Sequence, residues 1–300
     1  MGSSDLATVE LVTRPAPFAS RRLRALNYDF AVRTTSQELG AYLDRLFAPL
    51  EAPGGPRRTY ELVDLGATVP NRHRLLLDGR DLVVTDDPAL GVDYLIWHVN
   101  REAVRTSERH IVLHAAAAEH QGGAVVIPGV SGAGKSTLVA GLLQRGLRYL
   151  TDEVVAVDPR TLLVQPFPKP IAIETGSQGV LAGLRPVLPP AVASHFRTRW
   201  LVAPHALRPD AVAPASPVLA VVIVRYEPGR RPALSALRPA AAVLEVAGNC
   251  LNLPSHGEAG LSVLAGIARR ARCYELVTGE LDGACDLVIE MLRDERPDQR

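Results

Sequence analysis

Residues Gly129–Ser136 read Gly-Val-Ser-Gly-Ala-Gly-Lys-Ser, a complete G-x-x-x-x-G-K-S string directly after the apolar run Ala124-Val125-Val126-Ile127. Few local sequences constrain a fold more. The string expects a strand that stops where the glycines begin, a loop whose backbone N–H groups turn inward, and a helix that starts near Ser136. Each residue type has a physical task. Glycines let the backbone curl round a phosphate, Lys135 reaches β- and γ-oxygens, and the Ser136 hydroxyl suits Mg²⁺. The helix opening at Ser136-Thr137-Leu138 adds the positive end of its dipole. The expected nucleotide-binding segment is therefore Gly129, Val130, Ser131, Gly132, Ala133, Gly134, Lys135, Ser136 and Thr137.

Composition bounds what surrounds this loop. The chain has 300 residues, 47% hydrophobic and 22% charged, enough for one large domain or two smaller ones. Its net charge of +1 gives no bulk attraction for nucleic acid or an anionic membrane, and neither is expected as a partner. No apolar run approaches the roughly 20 residues of a membrane span, and no continuous signal-peptide core opens the sequence, so a cytoplasmic protein is expected. Cys250, Cys273 and Cys285 have neither zinc spacing nor an even count, which favours buried free thiols. Of the 33 Lys+Arg residues only two are lysines, Lys135 and Lys169. A compact ammonium suits the phosphate loop better than a planar guanidinium. Lys169 becomes a candidate for a phosphate or substrate contact by association, against the alternative of a surface lysine left by coding bias.

Two units are expected, 1–105 and 106–300. In the first, Thr35-Ser36-Gln37-Glu38 resembles a capping box before Leu39, Tyr42, Leu43, Leu46 and Phe47 at helical spacing. Strand signals follow at 60–63, 75–77 and 82–84, the last two around an Asp78-Gly79-Arg80-Asp81 turn; helical spacing returns from 89 to 104. In the second unit, strands at 111–113 and 124–127 flank a turn at Gln121-Gly122-Gly123. The loop helix should run to about Arg145, with Gly146 as its C-cap. Short strands are expected at 149–150 and 154–157, a strand at 218–224, a helix at 259–270, a strand at 274–277 and a last helix at 281–292. Between Pro186 and Pro217 a proline-rich excursion carries His195, Arg197, Arg199, His205 and Arg208; it either lines an acceptor site or is a solvated loop.

A phosphate loop does not choose between motor, switch, transporter ATPase and kinase; its neighbours must. With two lysines the chain has no Asn-Lys-x-Asp base-recognition string, and no Leu-Ser-Gly-Gly-Gln-like signature is present. An acidic pair, Asp152-Glu153, does follow the loop. In phosphoryl transfer one carboxylate can take the acceptor's proton while another holds the metal. The plainer alternative makes Asp152 a turn cap and Asp158 the metal-holding acid of an ordinary ATPase.

Leu113-His114, then Val126 to Thr137, then Arg145 to Glu153 together resemble the catalytic domain of HPr kinase/phosphorylase. More closely they resemble HPr-kinase-related proteins found beside peptide or natural-product biosynthesis. The resemblance is specific over about 110–175 and weaker through Val222 to Gly229 and Asn249 to Leu253. It implies an α/β fold with a P-loop catalytic domain of HPr-kinase/PEP-carboxykinase-like type behind a small N-terminal α/β domain. It implies ATP and Mg²⁺ as cofactors, assembly into a homo-oligomer, and transfer of the γ-phosphoryl group to a hydroxyl. By the same resemblance His114 lies near the transferring phosphate, Lys135 and Ser136 are the loop lysine and metal-binding hydroxyl, and Asp152 is the general base. Glu153 stands where the family has a second Asp, and Glu174 is a further metal candidate. The family's Glu-Arg-Gly signature is matched only in part by Glu174-Thr175-Gly176, so neither phosphorylase activity nor HPr as substrate is implied. A peptide serine or a small-molecule hydroxyl remain as acceptors, with Lys169, Arg197 and Arg199 as candidate contacts. The rival class is a nucleotide-binding regulatory module that hydrolyses slowly or not at all.

Overall fold

The computed structural model describes residues 18–65, 72–181, 183–193 and 199–293. The chain is a mixed α/β structure with several sheets. It opens with β1 (Phe18–Ala19), β2 (Leu23–Ala25), β3 (Tyr28–Thr34) and helix α1 (Gln37–Phe47), followed by β4 (Arg58–Asp64), β5 (His73–Leu77), β6 (Arg80–Thr85) and helix α2 (Pro88–Arg105). These strands form one sheet in the order β1-β3-β4-β5-β6, with β2 also on β3; β3 and β4 run parallel because α1 crosses between them. Ser36, not Thr35, caps α1: its Oγ accepts from Leu39 N at 3.2 Å. Asp87 caps α2 through Ala89 N at 2.8 Å, with Pro88 at the first helical position. The β5–β6 hairpin turns on Asp78 and Gly79 alone, at φ 50° and 78°, a primed turn that matches strand twist. Phe30, Phe47, Tyr60 and Leu95 are buried beneath this sheet. Each side chain of that size contributes about 1.5–3 kcal/mol of transfer free energy.

The second part runs β7 (Ile111–His120), β8 (Gly123–Pro128), α3 (Lys135–Gln144), β9 (Arg148–Thr151), β10 (Val154–Val157), β11 (Leu163–Gln165), β12 (Ile171–Glu174), the single turns α4 (Thr175–Gln178) and α5 (Pro190–Ala193), and β13 (Arg199–Val202). Then follow β14 (Ser216–Tyr226), β15 (Ala233–Ala236), α6 (Pro239–Gly248), α7 (Leu253–Arg270), β16 (Arg272–Thr278) and α8 (Leu281–Arg293). Eight strands share a sheet in the order β11-β10-β7-β8-β14-β16-β15, with β9 also on β7. The start of β14 pairs back onto β11, so the hydrogen-bonded path closes through β11, β10, β7, β8 and β14. Helices α3 and α8 cover one face, and α6 and α7 the other. β7 runs longer than its apolar signal, through Ala115-Ala116-Ala117-Ala118. Alanine is a poor strand former, but fully buried small side chains suit a central strand with packing layers on both faces.

β7 positions the site. Alternate residues of a strand share a face. On one face Val112 joins the cluster beneath the first sheet, Ala116 and Ala118 join the cluster under α3, and His114 stands between them. The first cluster crosses the expected boundary at 105/106, since Val112, Val154, Phe167, Val192 and Leu201 pack into it.

Within the Pro186–Pro217 excursion, residues 199–208 are packed against the rest of the chain. β13 pairs antiparallel with β12, Val202 is buried, and Arg208 donates to Leu147 O at 3.0 Å and to Gly146 O. His195 and Arg197 lie outside the described residues. Among the described residues no helix is long and apolar enough to cross a membrane. The three cysteines are unbonded, with Cys273 and Cys285 buried and Cys250 half-buried.

Candidate active site

The Gly129–Gly134 loop leaves β8 at Pro128 and enters α3 at Lys135. Gly132 and Gly134 sit at φ 81° and 88°, a region that glycine enters without cost. Gly134 is the N-cap of α3 and offers no side-chain hydrogen bond to the helix N–H groups. A phosphate fits this environment: backbone N–H groups without a side-chain cap, the positive end of a helix, and a lysine. Lys135 is buried, and its ammonium donates to Gly129 O at 2.6 Å and Val130 O at 2.9 Å. It also meets His114 Nε2 at 3.1 Å. Burial, only partly offset by Glu153 and Asp152, pulls the Lys135 ammonium below its ordinary range. Burial and then the Lys135 charge hold His114 below the usual imidazole range, and its Nε2 faces the ammonium, which can only donate.

Sheet register brings the acidic pair to this lysine. Ala115 pairs with Pro128, where the loop begins, and His114 pairs with Val154 on the opposite flank. Ala115 N also donates to Glu153 O at 3.2 Å. Asp152 and Glu153 form the bend between β9 and β10, both of which pair with β7. Loop and acids thus lie one strand spacing, about 4.8 Å, to either side of β7.

Asp152 is buried, and its Oδ1 accepts from Tyr149 Oη at 2.8 Å and from Lys169 Nζ at 2.7 Å. Lys169 reaches Glu153 Oε2 as well, at 3.2 Å, and donates to Pro170 O at 3.2 Å. Lys169 is therefore not the surface lysine of the coding-bias alternative: it is buried and bonded to both acids. Burial works against its charge, but the carboxylates of Asp152 and Glu153 outweigh it and hold the ammonium above its ordinary range. Burial and the Asp152 charge keep the Tyr149 phenol protonated. A proline-bounded segment delivers Lys169: Phe167 N donates to Leu150 O at 2.8 Å and the Phe167 ring is fully buried.

Glu174 ends β12 opposite Arg199 on β13, and this cross-strand pair of opposite charge meets at 3.3 Å. Arg199 also donates to Asp93 Oδ1 on α2 at 3.2 Å. Arg199 is therefore engaged by two carboxylates, and Glu174 by a guanidinium. Thr137, in the first turn of α3, donates to Ser177 on α4 at 2.6 Å, which ties the Glu174–Gln178 segment to the loop helix. Arg197 lies outside the described residues.

No family model matches the chain, and no curated protein matches it. Loose similarity to a solved structure is found. The Hpr(Ser) kinase/phosphatase from Coxiella burnetii aligns over 62% of this chain and 95% of that one, at 14% identity and a TM-score of 0.30. A likeness at that score says nothing about activity.

A divalent ion has few donors here. Among the described residues no group of three His, Cys, Asp or Glu side chains could hold a metal. Magnesium asks for less, since one or two carboxylates, phosphate oxygens and several waters fill its shell. The Ser136 hydroxyl and the half-exposed Glu153 are compatible with that. Two site residues carried no sequence signal. Tyr149 reads as an ordinary strand residue, and Asn100, whose Nδ2 donates to Glu153 Oε2 at 2.8 Å, reads as a polar position on an amphipathic helix.

Proposed function

We propose that this chain binds ATP at the Gly129–Thr137 loop and, with Mg²⁺, transfers the terminal phosphoryl group to a hydroxyl of a peptide serine or a small molecule. One observation carries the reading: a loop lysine in contact with His114 and a bend with two carboxylates lie on the two flanks of a single strand, β7. The loop amides and Lys135 would bind the phosphates and stabilise charge on the transferring group. His114, neutral beside Lys135, contributes a hydrogen bond rather than a charge. Asp152 Oδ1 is taken by Tyr149 and Lys169, so Oδ2 is the oxygen that would accept the hydroxyl proton as the new O–P bond forms and the bond to the departing ADP breaks. Ser136 and Glu153 would hold the divalent ion, which when bound neutralises phosphate charge.

An open groove of about 800 Å³ borders Arg199, a candidate acceptor contact, and is not lined by His114, Asp152 or Glu153. It runs beside Arg199 and is walled by Asp93, Tyr94 and Trp97, whereas none of the loop residues lines it. A groove suits an extended peptide; a small polyol would call for a closed polar pocket. A second reading, a regulatory nucleotide-binding module, is favoured by the Lys169 ammonium 2.7 Å from Asp152, which competes with any acceptor proton for that carboxylate.

Gamma-labelled ATP, offered with the purified protein to a cell extract, separates the two. Transfer of label to an acceptor supports the kinase, and release only to water supports the module. Asp152→Asn should abolish transfer and keep nucleotide binding; a variant that transfers as well as wild type would sink the assignment of Asp152.

A further inference from the structure

Asn100 lies on α2, in the layer of the first sheet, yet its side chain ends at the acidic pair. Its Nδ2 donates to Glu153 Oε2 at 2.8 Å, and the residue is only 9% exposed. Lys169 meets the same Oε2 at 3.2 Å. Two donors on one oxygen fix the carboxylate and leave Oε1 to face a further partner.

The other half of the Asn100 amide is unusual. Its Oδ1 is buried and has no hydrogen-bond partner among the described residues. Flipping the amide would not help, since Oδ1 would then face Oε2, acceptor against acceptor. A buried carbonyl without a donor calls for a physical reason. What would satisfy it is an O–H or N–H group from outside the chain. An ATP phosphate oxygen carries no proton to give, whereas a water held by a divalent ion is a strong donor, and Mg²⁺ keeps several such waters.

We infer that Asn100 is a positioning residue for a divalent cation at the acidic pair: its N–H group fixes Glu153 so that Oε1 faces the ion, and its Oδ1 accepts from a water in the ion's shell. The inference rests on the phosphoryl-transfer reading and gives the helix outside the loop-bearing sheet a part in that site. Asp93, seven residues earlier and so on the same face of α2, is joined through Arg199 to Glu174. Both acids expected at the metal are thus tied to one helix.

The test uses Mn²⁺ as probe and ADP as nucleotide, so that no turnover is needed. Free Mn²⁺ is followed by electron paramagnetic resonance as it is titrated into the ADP-saturated protein, and ADP binding without metal is measured by calorimetry. Asn100→Leu keeps the volume without the polar atoms, and Asn100→Ala is the second variant. Partners that orient metal ligands typically govern affinity by about 10- to 100-fold, and a loss of that size is expected in both variants, with metal-free ADP binding unchanged. A folded Asn100 variant with wild-type Mn²⁺ affinity overturns the inference and leaves the phosphate loop standing. A parallel loss of metal-free ADP binding overturns it too, by showing a general packing role. Wild-type protein that binds no ADP would instead overturn the phosphoryl-transfer reading.

Discussion

The chain's two lysines sit on opposite flanks of β7 in opposite electrostatic surroundings. Lys135 is buried among two carbonyl oxygens and a neutral imidazole, none of which carries a counter-charge. Lys169 is buried against two carboxylates. Burial disfavours both ammonium charges; at Lys135 it prevails and at Lys169 the carboxylates prevail, so the two shift in opposite directions. The charge of Lys135 is therefore free to meet an incoming anion, whereas that of Lys169 is neutralised within the chain. On the proposed function Lys135 would serve the ligand, and Lys169 the architecture of the acids.

That contrast can be broken by removing each charge. Lys169→Met leaves Asp152 buried and Glu153 half-buried without their cation, and breaking a buried pair in this way costs about 3–5 kcal/mol. Lys135→Met breaks no ion pair in contact and should cost clearly less. Urea midpoints of the two variants read the difference directly. Equal losses would mean that the two lysines are both structural and the contrast is wrong.

The same contrast explains what sequence could reveal. The loop is nine consecutive residues whose chemistry lies in glycine freedom and one lysine, so it is legible in a single string. The acid cluster is drawn from α2, β7, β9 and the segment before β12, and its side chains meet only through packing. His114 and the acidic pair were legible from a resemblance in their order along the chain, and Lys169 from lysine scarcity alone. Nothing local could say that Lys169 faces Asp152 and Glu153, or that Asn100 leaves an apolar helix to reach them. At fold level the helical stretches α1, α2 and α8 follow their spacing closely. β3 was missed because Tyr28-Asp29-Phe30-Ala31-Val32 is buried on both faces and shows no alternation. The surroundings of Arg199 were not legible for a related reason: its partners come from β12 and α2, distant in sequence.

The loop side of the contrast is sharpened by Gly134→Ala. At φ 88° an alanine is strained, yet no atom lies within 4 Å of an added Cβ, so the cost is that of the backbone alone, about 1–2 kcal/mol. Gly146, at φ 105° and equally open, is the control at the far end of α3. Both alanine variants should lower the melting temperature by similar amounts, while only Gly134→Ala should weaken ADP binding. A Gly134 variant that binds ADP like wild type would remove the backbone from its assigned role.

The smallest expected effect concerns His114, which joins the loop lysine to the acids' strand. Its proton affinity is depressed in the folded chain, by burial first and by Lys135 second. The unfolded chain therefore binds the proton more readily, and below the ordinary imidazole value of 6.5 the folded state loses stability as pH falls. Above that value both states are neutral at this residue and the contribution is flat. His98 and His110 are depressed in the same direction by burial, so His114→Gln should reduce the slope of stability against pH below 6.5 without removing it. Urea midpoints measured across that window in wild type and variant give the difference. An unchanged slope would mean that His114 takes up its proton as readily in the folded chain as in the unfolded one, against the neutral acceptor pair with the loop lysine on which the site is built.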